Sequence, residues 1–485
     1  MEKMFKPRSI AFVGASNSLA KWGGIVFRNL VSAKYEGRVY PINSREGTIQ
    51  GYKAYPTVRH IPGEVDLAIF TVPANAILEA VSSCVDKRIP AGIVITAGFA
   101  ELGEEGRLLQ DEMVRRARAG NMLLVGPNGQ GIAVPGSRLY PWIPMFRPDP
   151  GPVGIASQSG NVATVFSEQL AEFGFGCSKV ISVGNCADLG WPEYLEYFRH
   201  DHETKVVLLY IEGITQGQEF FAAAKRTSLQ KPVVMFKSGR TEAGTRAASS
   251  HTGVLAGAED IFSAACRQAG LIRVYTLEEA VIMAATLAGR TPLPRGRRVG
   301  IITGGGGHGV IAADASVELG LDLVRFSEKT INRLRSHLPA WWSPNNPVDM
   351  VAGLGFGGPR ELIPIVMESG EVDGVILLGI GWVYSMMDAI NRPTDFRDIK
   401  DELLRAHIDN DVRYCETLAE YTRAWGKPLV MSSPVARLAI RRSYPGLMRI
   451  MEQGIMLYPT IEDALRAMSA LIGRYEFLAR HGAAD

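Results

Sequence analysis

Three stretches decide the fold: SIAFVGAS at residues 9–16, PVGIASQSGN at 152–161 and RVGIITGGGGHG at 298–309. Each runs from a short aliphatic segment into small residues and then into a helix-length amphipathic stretch. Strand, tight turn and helix in that order form the unit of a parallel sheet covered by helices. Their threefold recurrence predicts an α/β protein of three consecutive Rossmann-like or flavodoxin-like domains with parallel sheets. Further aliphatic runs at 66–71, 92–96, 122–125, 206–211, 232–236, 374–379 and 428–431 keep the rhythm. Two stretches interrupt it and read as linkers. Residues 135–152 carry Pro at 135, 141, 144, 148, 150 and 152, and residues 289–298 read GRTPLPRGRR. They set domains at 1–135, 150–288 and 297–475.

The 485 residues suffice for three domains, and 46% hydrophobic with 21% charged side chains is the composition of a chain with full-sized cores. Fifty-two basic against 50 acidic side chains leave a formal +2, which removes the global electrostatic case for nucleic acid or an anionic membrane as partner. The five Cys (84, 177, 186, 266 and 415) form no CxxC pair, and no His cluster has metal-ligand spacing. Neither a disulfide framework nor a metal site is expected, and a reduced, cytoplasmic setting fits. Met1–Arg8 leads straight into a strand-like segment rather than a signal-peptide apolar region, and charge-free stretches are broken by Gly, Pro and Asn.

A small-residue turn ahead of a helix exposes backbone N–H groups and the positive end of the helix dipole, so three turns offer three anion sites. Glycine there equally permits a tight turn and close packing, and both readings stand at this level. Polar Gln158, Ser159 and Asn161 around Gly160 favour a ligand at the second turn. Gly305, Gly306, Gly307 and His308 form the third, where His308 is better placed to hold an anion than to attack one. The first turn, Gly14–Ala15–Ser16, lacks the GxGxxG run, and the segment 38–42 leads to Asn43, Ser44 and Arg45 where an NAD-binding domain presents an acid. A dehydrogenase is disfavoured. Lys21 and Arg45 either meet phosphate or are solvated surface charges. Val72–Pro73 and Ala97–Gly98–Phe99, at later strand ends, suit a groove for an extended nucleotide such as coenzyme A.

The stretch GRTEAGTRAASSHTGVLAG (239–257) packs small residues around His251. It contributes little core, so its imidazole is either a reactive group on a loop or one hydrogen-bonded in a tight turn. Glu212, just past the aliphatic run 206–211, either fixes an imidazole tautomer or is an ordinary loop charge.

Together these segments resemble the NDP-forming acyl-CoA synthetases of the acetate–CoA ligase (ADP-forming) type, relatives of succinyl-CoA synthetase. SSHTGVLAG (249–257) resembles that family's phosphohistidine loop; GIASQSGN (154–161) and TGGGGHGV (303–310) resemble its two phosphate-holding helix starts. VGAS (13–16) with Lys21–Trp22–Gly23, TVPAN (71–75), ITAGFAE (95–101) and VGPNGQG (125–131), which holds Asn128, resemble its CoA domain. NPVDM (346–350) resembles an active-site loop of its third domain. The resemblance implies transient phosphorylation of His251, orientation of that residue by Glu212, and coenzyme A and a small carboxylic acid as substrates. It also implies a separate beta-type subunit with an ATP-grasp region for ATP or ADP with Mg, since all three parts of this chain are accounted for. An α2β2 heterotetramer is one arrangement open to such an alpha-type subunit. Ser44–Arg45 departs from the family's usual Pro–Lys, and His308 stands where a less reactive residue is common. The aromatic PAWWSPN (339–345), with Trp142, Phe146, Trp382 and Tyr384, either lines an acyl pocket or packs at an interface. The rival function is a non-catalytic CoA-binding scaffold of the same fold.

Overall fold

The opening strand, β1 (Ser9–Val13), is buried along its whole length, which requires cover on both faces. It pairs in parallel with β2 (Arg38–Ile42) on one side and with β5 (Leu67–Phe70) on the other. A short hairpin of β3 (Thr48–Ile49) and β4 (Tyr52–Lys53) lies between them in sequence. With β6 (Ala91–Val94) and β7 (Leu123–Val125) the sheet runs β2-β1-β5-β6-β7, all parallel. Helices Trp22–Ser32, Ile77–Asp86 and Glu104–Ala119 accompany it and send Phe27, Leu30, Val81 and Met113 fully into its cores. The computed structural model describes residues 1–241, 243–244, 259–350, 360–390 and 400–484.

The second sheet takes β8 (Gly131–Ala133), β9 (Pro150–Ser157), β10 (Cys177–Ser182), β11 (Val206–Ile211), β12 (Val233–Lys237) and β13 (Leu271–Val274) in the order β13-β12-β11-β9-β10-β8. Only β8, antiparallel to β10, departs from parallel pairing. Residues 131–133, inside the 1–135 segment, thus complete the second sheet. The proline-rich stretch 135–152 is packed rather than a free linker. Trp142 is fully buried, and the Asn29 side-chain amide donates to the carbonyls of Trp142 (2.7 Å) and Pro144 (2.9 Å). Pro135 opens a short 3-10 turn, Pro144 stands at a bend, and Pro150 and Pro152 precede Val153, where the pairing of β9 with β10 and β11 begins, so their missing N–H groups cost no ladder bond.

The third sheet comprises β14 (Arg298–Thr303), β15 (Asp322–Leu323), β16 (Val348–Asp349), β17 (Gly374–Leu378), β18 (Leu429–Ser432) and β19 (Leu457–Tyr458), ordered β15-β14-β17-β18-β19 with β16 also on β14. Asn346 stitches the NPVDM segment to this sheet: its carbonyl oxygen accepts from Ile301 N (2.9 Å) and its amide donates to the carbonyls of Val299 (2.9 Å) and Val324 (3.0 Å). The chain forms two compact units, one of Met1–Ala171 with Gly176–Ala280, which holds the first two sheets, and one of Glu172–Phe175 with Val281–Asp485, which holds the third. In every sheet the opening strand (β1, β9 or β14) has parallel neighbours on both sides, so the crevice where strand order reverses lies at its carboxyl end. The three small-residue turns occupy those crevices.

Candidate active site

At the first turn Gly14 has φ +94°, and a Cβ there would lie 2.9 Å from Thr71 Oγ1. Cβ atoms on Gly23 and Gly24 would lie 2.1 Å from the Gly14 carbonyl oxygen and 2.0 Å from that of Ser18. The glycines therefore let the helix start at Trp22 press directly onto the strand end, the role that clustered glycines play in a dinucleotide fingerprint, here spread over eleven residues from 14 to 24. The loop around it is held by its own polar groups. Asn43 donates to the Ala15 carbonyl (3.0 Å) and accepts from the N–H groups of Arg45 (2.8 Å) and Glu46 (3.0 Å). Gln50 donates to the carbonyls of Ser16 (3.1 Å) and Gly24 (2.9 Å). Lys21 and Arg45 stand exposed beside this turn. Asn43 is thus the organiser of the turn, and the two cations are its outward-facing charges.

The second turn faces the same space. Gln158 accepts through Oε1 from the N–H groups of Glu212 (2.6 Å) and Gly213 (3.1 Å), fixing the Glu212 loop against the start of helix Gly160–Glu172. Ser159 Oγ accepts from Val162 N (3.4 Å), and Ala163 N closes on the Ser159 carbonyl (3.1 Å). The amides of Gly160 and Asn161 precede the first intrahelical bonds, as at every helix start. Gln130, from the VGPNGQG segment, donates to Asn161 Oδ1 (2.7 Å), and its side chain lies where a Gly160 Cβ would collide with it at 2.2 Å.

A cleft of about 310 Å³ gathers these parts. Trp22, Ala97 and Asn128 line it from the first sheet, Gln158, Ser159, Gly160, Asn161 and Glu212 from the second. Thr71, Thr96, Gln130, Gly184 and Asn185 also line it. A second cleft of about 350 Å³ shares Gln158 and Asn185 and adds Glu101, Arg107, Cys186, Trp191 and Gln216. Burial, reinforced by the Glu193 and Glu212 carboxylates, pushes the Cys186 thiol pKa up, so it stays protonated rather than acting as a nucleophile.

Between the clefts runs a polar network of which the sequence singled out Asn128 but not Asn185, Gln110 or the role of Glu101. Glu101 accepts from the N–H groups of Gly98 (2.6 Å) and Phe99 (3.1 Å) and from Asn185 (2.7 Å). Asn185 also donates to Gln110 (3.0 Å) and accepts from Asn128 (3.2 Å). Burial pushes the Glu101 carboxyl up, but these hydrogen bonds outweigh it and hold its pKa below the usual carboxylate range. The amides of Gly98 and Phe99 are therefore committed to Glu101. Phe99 itself is fully buried in the first sheet's core, Val72 is half-buried and Pro73 exposed, and none of these three lines either cleft.

In the second unit, Gly305 caps helix Gly306–Glu318, His308 is exposed, and a Cβ on Gly306 would lie 2.8 Å from Asp349 Oδ2. The start of this helix already faces a carboxylate. Trp342 and Tyr384 are core residues of this unit, whereas Trp341 is 76% and Trp382 46% exposed. His251 lies outside the described residues. Among the described residues no three His, Cys, Asp or Glu side chains form a metal-binding group, and no helix is long and apolar enough to cross a membrane.

Three family profiles match the chain in order: a CoA binding domain over residues 8–135, a succinyl-CoA ligase like flavodoxin domain over 150–287 and a ligase-CoA domain over 299–392. Their succession defines a CoA ligase of the succinyl-CoA ligase class. The chain is 43% identical over 380 residues to the alpha subunit of acetate–CoA ligase (ADP-forming) II of Pyrococcus furiosus, covering 78% of this chain and 82% of that one. It is 34% identical to the alpha subunit of isoenzyme I of the same organism, over 99% of both. A solved structure of the dinucleotide-forming acetyl-coenzyme A synthetase 1 of Ca. Korarchaeum cryptofilum, in complex with phosphate and ADP, superposes with a TM-score of 0.83 at 31% identity, covering 99% of this chain and 98% of that one. The chain belongs to the family of ADP-forming acetate–CoA ligase alpha subunits.

Proposed function

We propose that this chain is the alpha subunit of an ADP-forming acyl-CoA synthetase that interconverts a carboxylic acid, CoA and ATP with acyl-CoA, ADP and phosphate. The observation that carries the reading is the single cleft in which the first-sheet residues Trp22, Ala97 and Asn128 face the helix start Gln158–Asn161 and Glu212. CoA fits the first turn because the glycine-permitted helix start offers backbone amides to a phosphate, with Lys21 and Arg45 beside it and the cleft leading inward. Trp22, at the start of that helix, and the second helix start line one cleft. In the synthetic direction the acid's carboxylate takes a phosphoryl group to give an acyl phosphate, and the CoA thiol attacks its carbonyl and releases phosphate. His251 carries the phosphoryl group, bonded through one imidazole nitrogen, between this cleft and a nucleotide held with Mg by a partner subunit of the ATP-grasp type. Glu212, held in place by Gln158, accepts a hydrogen bond from the N–H of the other nitrogen and so keeps the attacking one unprotonated. The helix starts at Gly160 and Gly306 stabilise phosphate charge by orientation alone. An α2β2 assembly in the cytoplasm follows from the same reading.

Incubation of the chain with a panel of acyl-CoAs and inorganic phosphate, followed by peptide mass analysis under alkaline conditions, tests this. Phosphorylation at His251, lost in His251→Ala with CoA binding retained, is expected, and the acyl-CoA that works names the acid. CoA binding with no phosphohistidine under any acyl-CoA or with an ATP-grasp partner would instead make the chain a binding scaffold.

A further inference from the structure

At the carboxyl ends of β12 and β13, cations and aromatic rings alternate. Arg240 lies 4.7 Å from the centre of the Tyr275 ring, and Arg273 lies 5.3 Å from that ring and 5.0 Å from Phe262. At the other end of the series the Lys237 ammonium lies 5.5 Å from the centre of the Phe262 ring. Arg273 is anchored by an ion pair with Glu259 (2.6 Å) and a hydrogen bond to Ser263, while Lys237 is buried with its ammonium donating to the Ser238 carbonyl (2.9 Å). The path of the chain gives this ladder its meaning. Lys237 and Arg240 precede residues 245–258, Glu259 and Phe262 follow them, and the two groups are joined by Arg273, on the neighbouring strand, which meets Glu259 and Phe262, and Tyr275, just past that strand, which meets Arg240. The ladder also reaches Glu212, since the Tyr210 hydroxyl is hydrogen-bonded to both Ser238 and Glu212.

We propose that this alternating ladder is a positioning element for phosphoryl transfer, which holds the two ends of the histidine-bearing segment in register with Glu212, with the Tyr275 ring as its central rung. The proposal rests on the reading of His251 as the phosphoryl carrier. A ring between two guanidinium groups holds them by its π face, which a hydroxyl-free ring preserves and an aliphatic side chain does not.

The test is the rate of His251 phosphorylation from acyl-CoA and inorganic phosphate, measured by quenched time course on the full chain. Tyr275→Leu is expected to slow it about tenfold or more, the loss of two cation–ring contacts. Tyr275→Phe and Arg240→Lys are expected to stay within about twofold of the parent, and Arg240→Gln, which loses one of the two contacts, to fall between them and Tyr275→Leu. CoA affinity stays unchanged in all four. Tyr275 is 43% exposed, so the variants keep the fold, which their melting temperatures check. A Tyr275→Leu chain as fast as the parent overturns the ladder alone, as does a Tyr275→Phe chain as slow as Tyr275→Leu. A parent chain never phosphorylated at His251 overturns the carrier reading and the ladder's role with it.

Discussion

Substituting Gly23 by Ala tests the CoA turn through one methyl group. The added Cβ would lie 2.1 Å from the Gly14 carbonyl oxygen and 3.0 Å from Thr71 Oγ1. A tolerable carbon–oxygen approach is about 3.3 Å, so the start of helix Trp22–Ser32 must withdraw by about 1.2 Å. The obstacle is backbone and cannot rotate aside, which places the stability loss near the upper end of the overpacking range, about 3 kcal/mol. A withdrawal of that size breaks a hydrogen bond from a first-turn amide to a phosphate. Bonds to charged groups are worth about 1.5–3 kcal/mol, so CoA affinity should fall by about 10- to 150-fold. Gly47, in the neighbouring loop with nothing within 4 Å of its Cβ position, is the control, and Gly47→Ala should change neither quantity. Urea unfolding and calorimetric CoA titration read the two effects. A Gly23→Ala chain that binds CoA as tightly as the parent would show that the ligand does not use this helix start, and the assignment of the first turn would fall.

Three further outcomes are expected. Gln158→Leu removes the acceptor shared by the Glu212 and Gly213 amides; at about 1–3 kcal/mol for each unsatisfied donor it should slow His251 phosphorylation by at least about tenfold while CoA affinity hardly moves, and an unchanged rate would mean that Glu212 is held by other contacts. Lys179 is fully buried against Asp201 at 2.7 Å, itself 6% exposed, so Lys179→Met strands a buried carboxylate and should cost about 3–5 kcal/mol in denaturant unfolding, most of it recovered when Asp201→Asn is added. Burial pushes the Asp411 carboxyl up despite its hydrogen bonds with Tyr384 and Cys415. The native state then holds that proton more tightly than the unfolded chain, so stability is full below the unfolded value near 3.8, falls as pH rises toward the folded pKa and levels off above it; Asp411→Asn should flatten that slope in melting temperature against pH, and an unaltered slope would place it on other groups.

The three opening strands were legible because hydrophobic run, small-residue turn and amphipathic helix are local patterns, and β1 and β11 fall where the aliphatic runs placed them. The short strands were not. β8 is three residues that pair with β10 some 50 positions later, and β16 is two residues held beside β14 by the side chain of Asn346; neither carries a periodicity long enough to read. The proline-rich stretch 135–152 misled for the opposite reason. Proline marks where the chain cannot continue a helix, but says nothing of whether its neighbours are buried, and Trp142 is fully buried there.

The site shows the same division. Residue types that chemistry demands at a turn, such as Gly14, Gln158 and Gly160, could be picked out one at a time, whereas their roles depend on partners distant in sequence. Gln158 holds the amides of Glu212 and Gly213, 54 and 55 residues on, and so joins two residues that had been read as separate candidates. Glu101 is the sharper case: within ITAGFAE it looks like a helix-start acid, yet it ties the loop at Gly98 to Asn185, 84 residues away, and so locks the first sheet's loop to the second sheet's turn. That lock joins β8 and the Asn29–Trp142 contact in tying the first two sheets into one compact unit that shares one cleft. On separate swinging domains the first turn and the helix start at Gly160 would have to find each other before they could act on one ligand. Here the Glu101–Asn185–Asn128 network fixes the separation of the two turns in advance.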